Sequence, residues 1–310
     1  MNPPSDNAML DTVDTPVGPP RLAETRPLYW SVRRELWENR SVVLAPLIVA
    51  TVVSFGSFIH MIGLPRRIRA AQALDPARLH AVVTGLFSMA PAPIMLATLL
   101  VGLFYSLDAL YGERRDRSVL FWKSLPVSDR TTVLSKASIP LVVLPLIALA
   151  LSVFTQVLLL MLGTMILMGN GMSPATLWSE FAFFQGLLIM IYGLTVHILW
   201  FAPIYGWLLL VSAWAKRTPV LWAVFPFFAI GIVDRIVFGS SHVAALLKYR
   251  VIGAMAEAFA DSSRHGSNID SLSQLTPARF LSAPGLWLGL AFAAACLAAA
   301  VRLRRHRQPI

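Results

Sequence analysis

The sequence predicts an all-α integral membrane fold. Six transmembrane helices follow an interfacial amphipathic helix, with a short cytoplasmic helix between spans two and three. Three observations predict it. Hydrophobic residues make up 56% of the chain and charged residues only 14%, well below the roughly 25% charge of an ordinary soluble domain. The mean hydropathy of +0.66 means more apolar surface than one water-soluble core can hide, so lipid must solvate the excess. The apolar residues also fall in runs long enough for a ~30 Å hydrocarbon core, separated by basic or Gly/Pro-rich connections.

Residues 1–24 are rich in Pro, Asp and Thr and read as a disordered cytoplasmic tail. No apolar stretch of signal-peptide length occurs in the first 40 residues, so no cleaved targeting segment is expected. Residues 25–40 read as the interfacial helix. Tyr29, Trp30, Val32, Arg33, Leu36 and Trp37 form one wide face, while Ser31, Arg34, Glu35 and Glu38 fall on the other. That spacing places the aromatics at headgroup level with the polar face toward water. Residues 41–310 form one transmembrane domain. The expected spans are Ser41–Leu64, about Ala90–Leu110, a long third from Lys136 to Met168, Phe181–Ile204 with an extension to Trp214, Pro219–Phe238 and Pro284–Leu303. The third is longer than a bilayer needs, so it tilts or leaves the membrane. Prolines 91, 93, 140, 145, 203 and 226 lie in or near spans, where neighbouring groups must satisfy the carbonyls they free.

Basic residues set the orientation. Of the 26 Lys and Arg, seventeen lie on one side if both termini are cytoplasmic. Five are in the N-terminal region, six lie between spans two and three, Lys216 and Arg217 follow span four, and four close the chain. An excess of that kind marks the cytoplasmic face. Arg66, Arg67, Arg69 and Arg78 in the first external loop run against the trend. A net charge of +10 points to anionic lipid rather than nucleic acid, because the basic residues cluster beside apolar runs.

The loop 111–136 is the most informative segment. A short helix from about Asp116 to Ser124 ends before Pro126, whose ring disfavours the α region at the residue before it. Ser128 then caps a new helix that runs through Lys136 into span three. Val119, Leu120, Phe121, Trp122 and Leu125 make an apolar knob flanked by Arg114, Arg115, Arg117 and Lys123. Physically, such a knob fits a partner protein and a headgroup layer equally well.

Tyr111, Glu113, Arg114, Ser118 through Leu125-Pro126-Val127-Ser128, and Lys136 resemble the loop between spans two and three of type-2 (ABC-2-type) ABC-transporter permeases. The whole layout is similar to that family as well: amphipathic N-terminal helix, six spans, and a longer external segment, here 239–283. Arg117-Ser118 stands where the family commonly has Gly-Thr or Gly-Ser. The resemblance implies that the loop holds a coupling helix docking on a separate cytoplasmic ATPase subunit. Glu113, Arg114, Arg117, Val119, Leu120, Phe121, Trp122 and Lys123 would form that interface, with Glu113 and Arg114 positioning it from the base of span two. It further implies a second permease chain, in a homodimer or as a paralogue, export of an unidentified substrate, and a bacterial cytoplasmic (inner) membrane with both termini inside. ATP and Mg would bind the partner ATPase, with no cofactor on this chain.

The chain is not expected to be an enzyme. A phosphate-binding loop needs Gly-Lys-Ser/Thr, and none of the four lysines (Lys123, Lys136, Lys216, Lys248) follows a glycine. No histidine is followed by glutamate, which removes the His-Glu-x-x-His metalloprotease pattern. Cys296 is the single cysteine, so neither an intrachain disulfide nor a cysteine zinc site can form. Gly239-Ser240-Ser241-His242 reads as an external turn, since a serine nucleophile needs a base histidine and span six has none. His197, mid-span in the fourth helix, is expected to hydrogen-bond a neighbouring helix. Asp234 and Arg235 toward the outer end of span five read as an interhelical pair or a gate. Gly285, Gly289 and the following alanines give span six a small-residue face for packing within one subunit. An ATP-independent secondary transporter and a membrane scaffold or sensor are the competing classes.

Overall fold

A computed structural model describes residues 26–73, 75–88, 90–116, 128–260, 269 and 271–306. The expected tail 1–24 and most of the expected coupling helix, Arg117 to Ser124, lie outside the described residues. Among these, the regular elements are helices, with one isolated antiparallel bridge between Phe259 and Leu275. Six helices are long and apolar enough to cross a membrane: Ser41–Met61, Pro91–Arg115, Asp129–Gly169, Ala175–Trp214, Pro219–Val237 and Pro284–His306. The protein is thus an all-α, multi-pass membrane protein.

The chain starts with α1 (Pro27–Glu38) and the first span α2 (Ser41–Met61). Two helices then fill what the sequence reads as a plain loop, α3 (Leu64–Gln72) and α4 (Pro76–Ser88). Proline near the first position starts each of them, where a missing N–H costs nothing. Leu64, Ile68, Val83 and Phe87 are completely buried against Met61, Leu159 and Leu167, so this end of the bundle carries a packed cap. Span two is α5 (Pro91–Asp108) with a short continuation α6 (Tyr111–Arg115).

Span three is built in two parts. Its base, α7 (Asp129–Ser138), begins at Ser128, whose hydroxyl accepts the Thr131 amide at 3.1 Å, the expected cap. Its shaft is α8 (Leu144–Gly169), and a π-turn over Ile139–Val143 separates the two. There the Leu144 amide bonds the Ile139 carbonyl five residues back. Pro140 lies within this wider turn and Pro145 just beyond it; neither has an N–H for the ordinary ladder. At 1.5 Å per residue the whole segment is ~60 Å long, about twice a hydrocarbon core. The base therefore stands outside it, with the charges of Asp129, Arg130 and Lys136.

After the short α9 (Ala175–Glu180), span four, α10 (Phe183–Trp214), is continuous across Pro203 and reaches Trp214 as the sequence allows. Span five is α11 (Pro219–Val237), only 11% buried over its most apolar stretch. The described residues of 239–283, the expected external segment, hold three further helical pieces: α12 (His242–Ala258), one 3-10 turn (Leu272–Gln274) and α13 (Pro277–Ser282). Span six is α14 (Pro284–His306), and its contact with α10 is the most extensive in the fold. Gly206 of α10 makes that approach possible. A Cβ there would lie 3.2 Å from both Cα and the carbonyl oxygen of Ala293. Gly285 and Gly289 leave room for Tyr249 and Arg250 of α12, and Arg250 donates to the carbonyls of Gly285 (3.1 Å) and Trp200. Burial pulls the Arg250 guanidinium below its usual range. Gly285, Gly289 and Ala293 of the small-residue face thus pack within the subunit, whereas Ala291, Ala294 and Ala295 are exposed.

Candidate functional site

The structure joins the two flanks of loop 117–127 through buried charge. Lys136, on the base of span three, is 2% exposed. Its ammonium lies 2.9 Å from Glu35 Oε1 and 3.1 Å from Glu113 Oε1. Glu35 comes from α1 and is fully buried, while Glu113 sits on α6 at the foot of span two. Arg34 adds contacts to Glu35 (2.9 Å), Glu113 (3.5 Å) and Glu38 (3.5 Å). From the C-terminal end of span six, Arg304 pairs with Glu113 and reaches Asp129 at 3.1 Å. The Tyr105 hydroxyl of span two donates to Glu35 Oε2 at 2.8 Å. The N-terminal helix, spans two, three and six, and both roots of the loop therefore share one ionic cluster.

Such burial is tolerable only when each charge has a partner, since an isolated buried ion costs several kcal/mol or more. Arg34, Lys136 and Arg304 face Glu35, Glu38, Glu113 and Asp129, which brings the set close to neutrality. Glu38 sits at the exposed margin; burial pushes its carboxyl up, with Arg34 pulling it back down.

This arrangement corrects the expected orientation of the interfacial helix. Its polar face is largely turned inward: Ser31 and Glu35 are buried against the bundle while Glu38 stays exposed, and Val32 and Leu36 pack beside them on the cluster that holds Tyr105, Ala137 and Ile139. The face left outward carries Tyr29, Trp30 and Trp37, all more than half exposed. The Arg33 guanidinium lies 5.3 Å from the Trp30 ring and 4.8 Å from that of Trp37. Glu35 pairs with the Lys136 ammonium of the bundle, and the aromatics stay on the outward face.

The neighbouring residue, Arg114, is 7% exposed and donates to the carbonyls of Ser212 and Ala215, each at 2.7 Å. A guanidinium there satisfies carbonyls at the C-terminal end of α10 and complements the helix dipole. In return the Ser212 hydroxyl accepts the amides of Leu110 and Tyr111, both at 2.9 Å, where span two breaks between α5 and α6. Substituting Ser212 by alanine is expected to destabilise the protein by roughly 1–3 kcal/mol, the cost of stranding buried amides. A lower thermal-unfolding midpoint of the purified protein would register it.

Of the residues singled out in the loop, Glu113 and Arg114 are thus bonded inward and hold the root of the segment rather than presenting a docking face. Arg117, Val119, Leu120, Phe121, Trp122 and Lys123 lie outside the described residues. Asp234 and Arg235 are not brought together as a pair. Asp234 accepts the Ser240 hydroxyl at 2.7 Å and the Val243 amide at 3.2 Å, holding the turn into α12, whereas Arg235 is exposed. Gly239 in that turn has φ +62, the region that favours glycine, in keeping with the turn reading of 239–242. The hydrogen-bond and ring partners shown for His197 lie on its own helix rather than on a neighbour. His197 stacks on Phe201 at 4.6 Å and lies 3.4 Å from the Tyr205 hydroxyl.

Sequence reasoning missed Glu35, Tyr105, Asp129, Lys136, Ser212 and Arg304 as members of this site. A signal was present in Arg304, a cation one turn beyond an alanine-rich span, but its partner is 191 positions earlier. No group of three or more His, Cys, Asp or Glu with metal-binding geometry occurs among the described residues. Comparison with protein families, with curated proteins and with solved structures finds no match for the chain.

Proposed function

We propose that this protein is the membrane subunit of an ATP-driven transporter, a permease of the ABC-2 type, worked by a separate cytoplasmic ATPase. One observation carries the reading. Glu113 and Lys136, which root the loop 117–127 on either side, meet in one buried cluster with α1 and the end of span six. A push on that loop would move spans two, three and six together with the N-terminal helix, because none can shift alone without breaking a buried ion pair. The apolar knob Val119 to Trp122, ringed by Arg117 and Lys123, is the surface offered to the ATPase. ATP and Mg bind on that partner, consistent with a sequence in which no lysine follows glycine.

Export, two permease chains as a homodimer, a bacterial inner membrane and cytoplasmic termini belong to the same reading. The sparse cover on α11 (11% of its apolar stretch buried) is compatible with lipid or a second permease there. N- and C-terminal helices do share one end of the bundle, since Arg34 and Arg304 both contact Glu113.

Purification of the chain from its own cells should bring down an ATPase, and Leu120→Glu combined with Trp122→Glu should abolish that association while leaving the protein monodisperse. Retained association in the double variant overturns the coupling-helix assignment. A partner without ATPase activity would instead indicate a scaffold, and a chain purified without partner a secondary transporter.

A further inference from the structure

Far from the ionic cluster, a second polar feature opens among apolar walls. A cavity of about 220 Å³ lies between α4, α8, α9 and α10 and is lined by His80, Thr84, Gln156, Glu180, Phe181 and Met190, among others. Gln156 is twenty residues along span three from Lys136, which at 1.5 Å per residue sets the cavity ~30 Å from the cluster, at the opposite end of the bundle.

Its chemistry is one-sided. Glu180 is the single carboxylate among the described lining residues. Its contact is His80 Nδ1 at 3.1 Å, a partner that neutralises it only when protonated. His80 is half exposed, so it can turn aside without loss of packing. Gln156 is 6% exposed, and its amide nitrogen reaches the Phe87 carbonyl at 3.4 Å, which leaves the side-chain oxygen as an acceptor for a guest. Phe181 forms an aromatic wall, its ring tilted 32° to that of Phe87 with the centroids 4.3 Å apart. A carboxylate, an acceptor amide and an aromatic face around an otherwise apolar space recognise an ammonium group on a hydrophobic body.

We propose that this cavity binds a small organic cation, an ammonium attached to an aromatic or aliphatic body. Glu180 takes the charge in place of His80, Gln156 accepts a second N–H, and Phe181 with Met190 covers the apolar part. The site is independent of the ATPase-driven reading and would exist in a protein of either competing class.

Calorimetric titration of the purified full-length protein with three probes of one shape tests it: phenethylammonium, phenethyl alcohol and phenylacetate. The ammonium is expected to bind most tightly, and Glu180→Gln to weaken it roughly tenfold, the worth of one charge-assisted hydrogen bond, while erasing its advantage over the alcohol. His80→Ala is expected to bind the ammonium at least as well as the unaltered protein. Met190→Trp, which fills the space, is expected to abolish binding. Equal binding of the three probes, a preference for phenylacetate, or an unchanged titration in Glu180→Gln overturns the proposal. The three-probe comparison needs no substitution, so a variant that folds poorly cannot shelter it.

Discussion

Replacing Lys136 by methionine is expected to cost roughly 3–5 kcal/mol of stability, the penalty for leaving a buried charge without its partner. The aliphatic stem is nearly preserved by that change, so the loss reports the ammonium. Glu35 and Glu113, at 0% and 8% exposure, would keep Arg34, Arg304 and the Tyr105 hydroxyl but lose the group that lies between them. Two carboxylates would then face each other with one cation fewer. Adding Glu35→Gln should return part of the loss, because removing both members of a buried pair costs less than removing one. A thermal-unfolding comparison of the single and double variants reads this directly. A loss near the ~0–1 kcal/mol of an exposed pair would mean that water reaches the cluster.

The second large effect is expected at Gly206→Val. The added Cβ would sit 3.2 Å from backbone atoms of Ala293, and backbone cannot rotate away as a side-chain tip can. Spans four and six would have to separate along the most extensive helix contact of the fold. Overpacking of this kind costs typically 1–3 kcal/mol, and a rigid neighbour places the expectation at or above the upper end, about 3 kcal/mol. Gly56→Val supplies the control, because nothing lies within 4 Å of a Cβ built there. A drop in unfolding midpoint at position 206 without one at 56 is the predicted result; equal drops would point to backbone entropy rather than helix contact.

The spans were legible because a bilayer demands long uncharged runs, and chain order alone displays them. Ser41–Met61 and Pro219–Val237 end within about three residues of expectation. Ser128 was legible as a cap for the same reason: its partner is three residues away. The helices α3, α4 and α12 were not, since short mixed segments owe their form to a packed neighbour rather than to a run of one residue type. The ionic cluster was least legible of all. Glu35 and Lys136 are 101 positions apart, and nothing in helical periodicity says which face of α1 turns inward. Sequence places Glu35 opposite the tryptophans, which for a lone helix means water; the Lys136 ammonium at the base of span three reverses that inference. Outside the membrane-facing problem, the His80–Glu180 pair was hidden the same way, by a separation of 100 positions.

The π-turn at Ile139–Val143 bears on how span three can be indexed. An extra residue in one turn rotates everything beyond it by ~100° relative to an uninterrupted α-helix. Below the turn, the angular setting is fixed by where Lys136 must point; above it, by which residues of α8 meet spans one and two. The two halves thus answer to different clocks, and the π-turn is the offset between them. Evolution can retune the shaft, and whatever it faces, by moving one residue in or out of that turn while the charged foot keeps its heading.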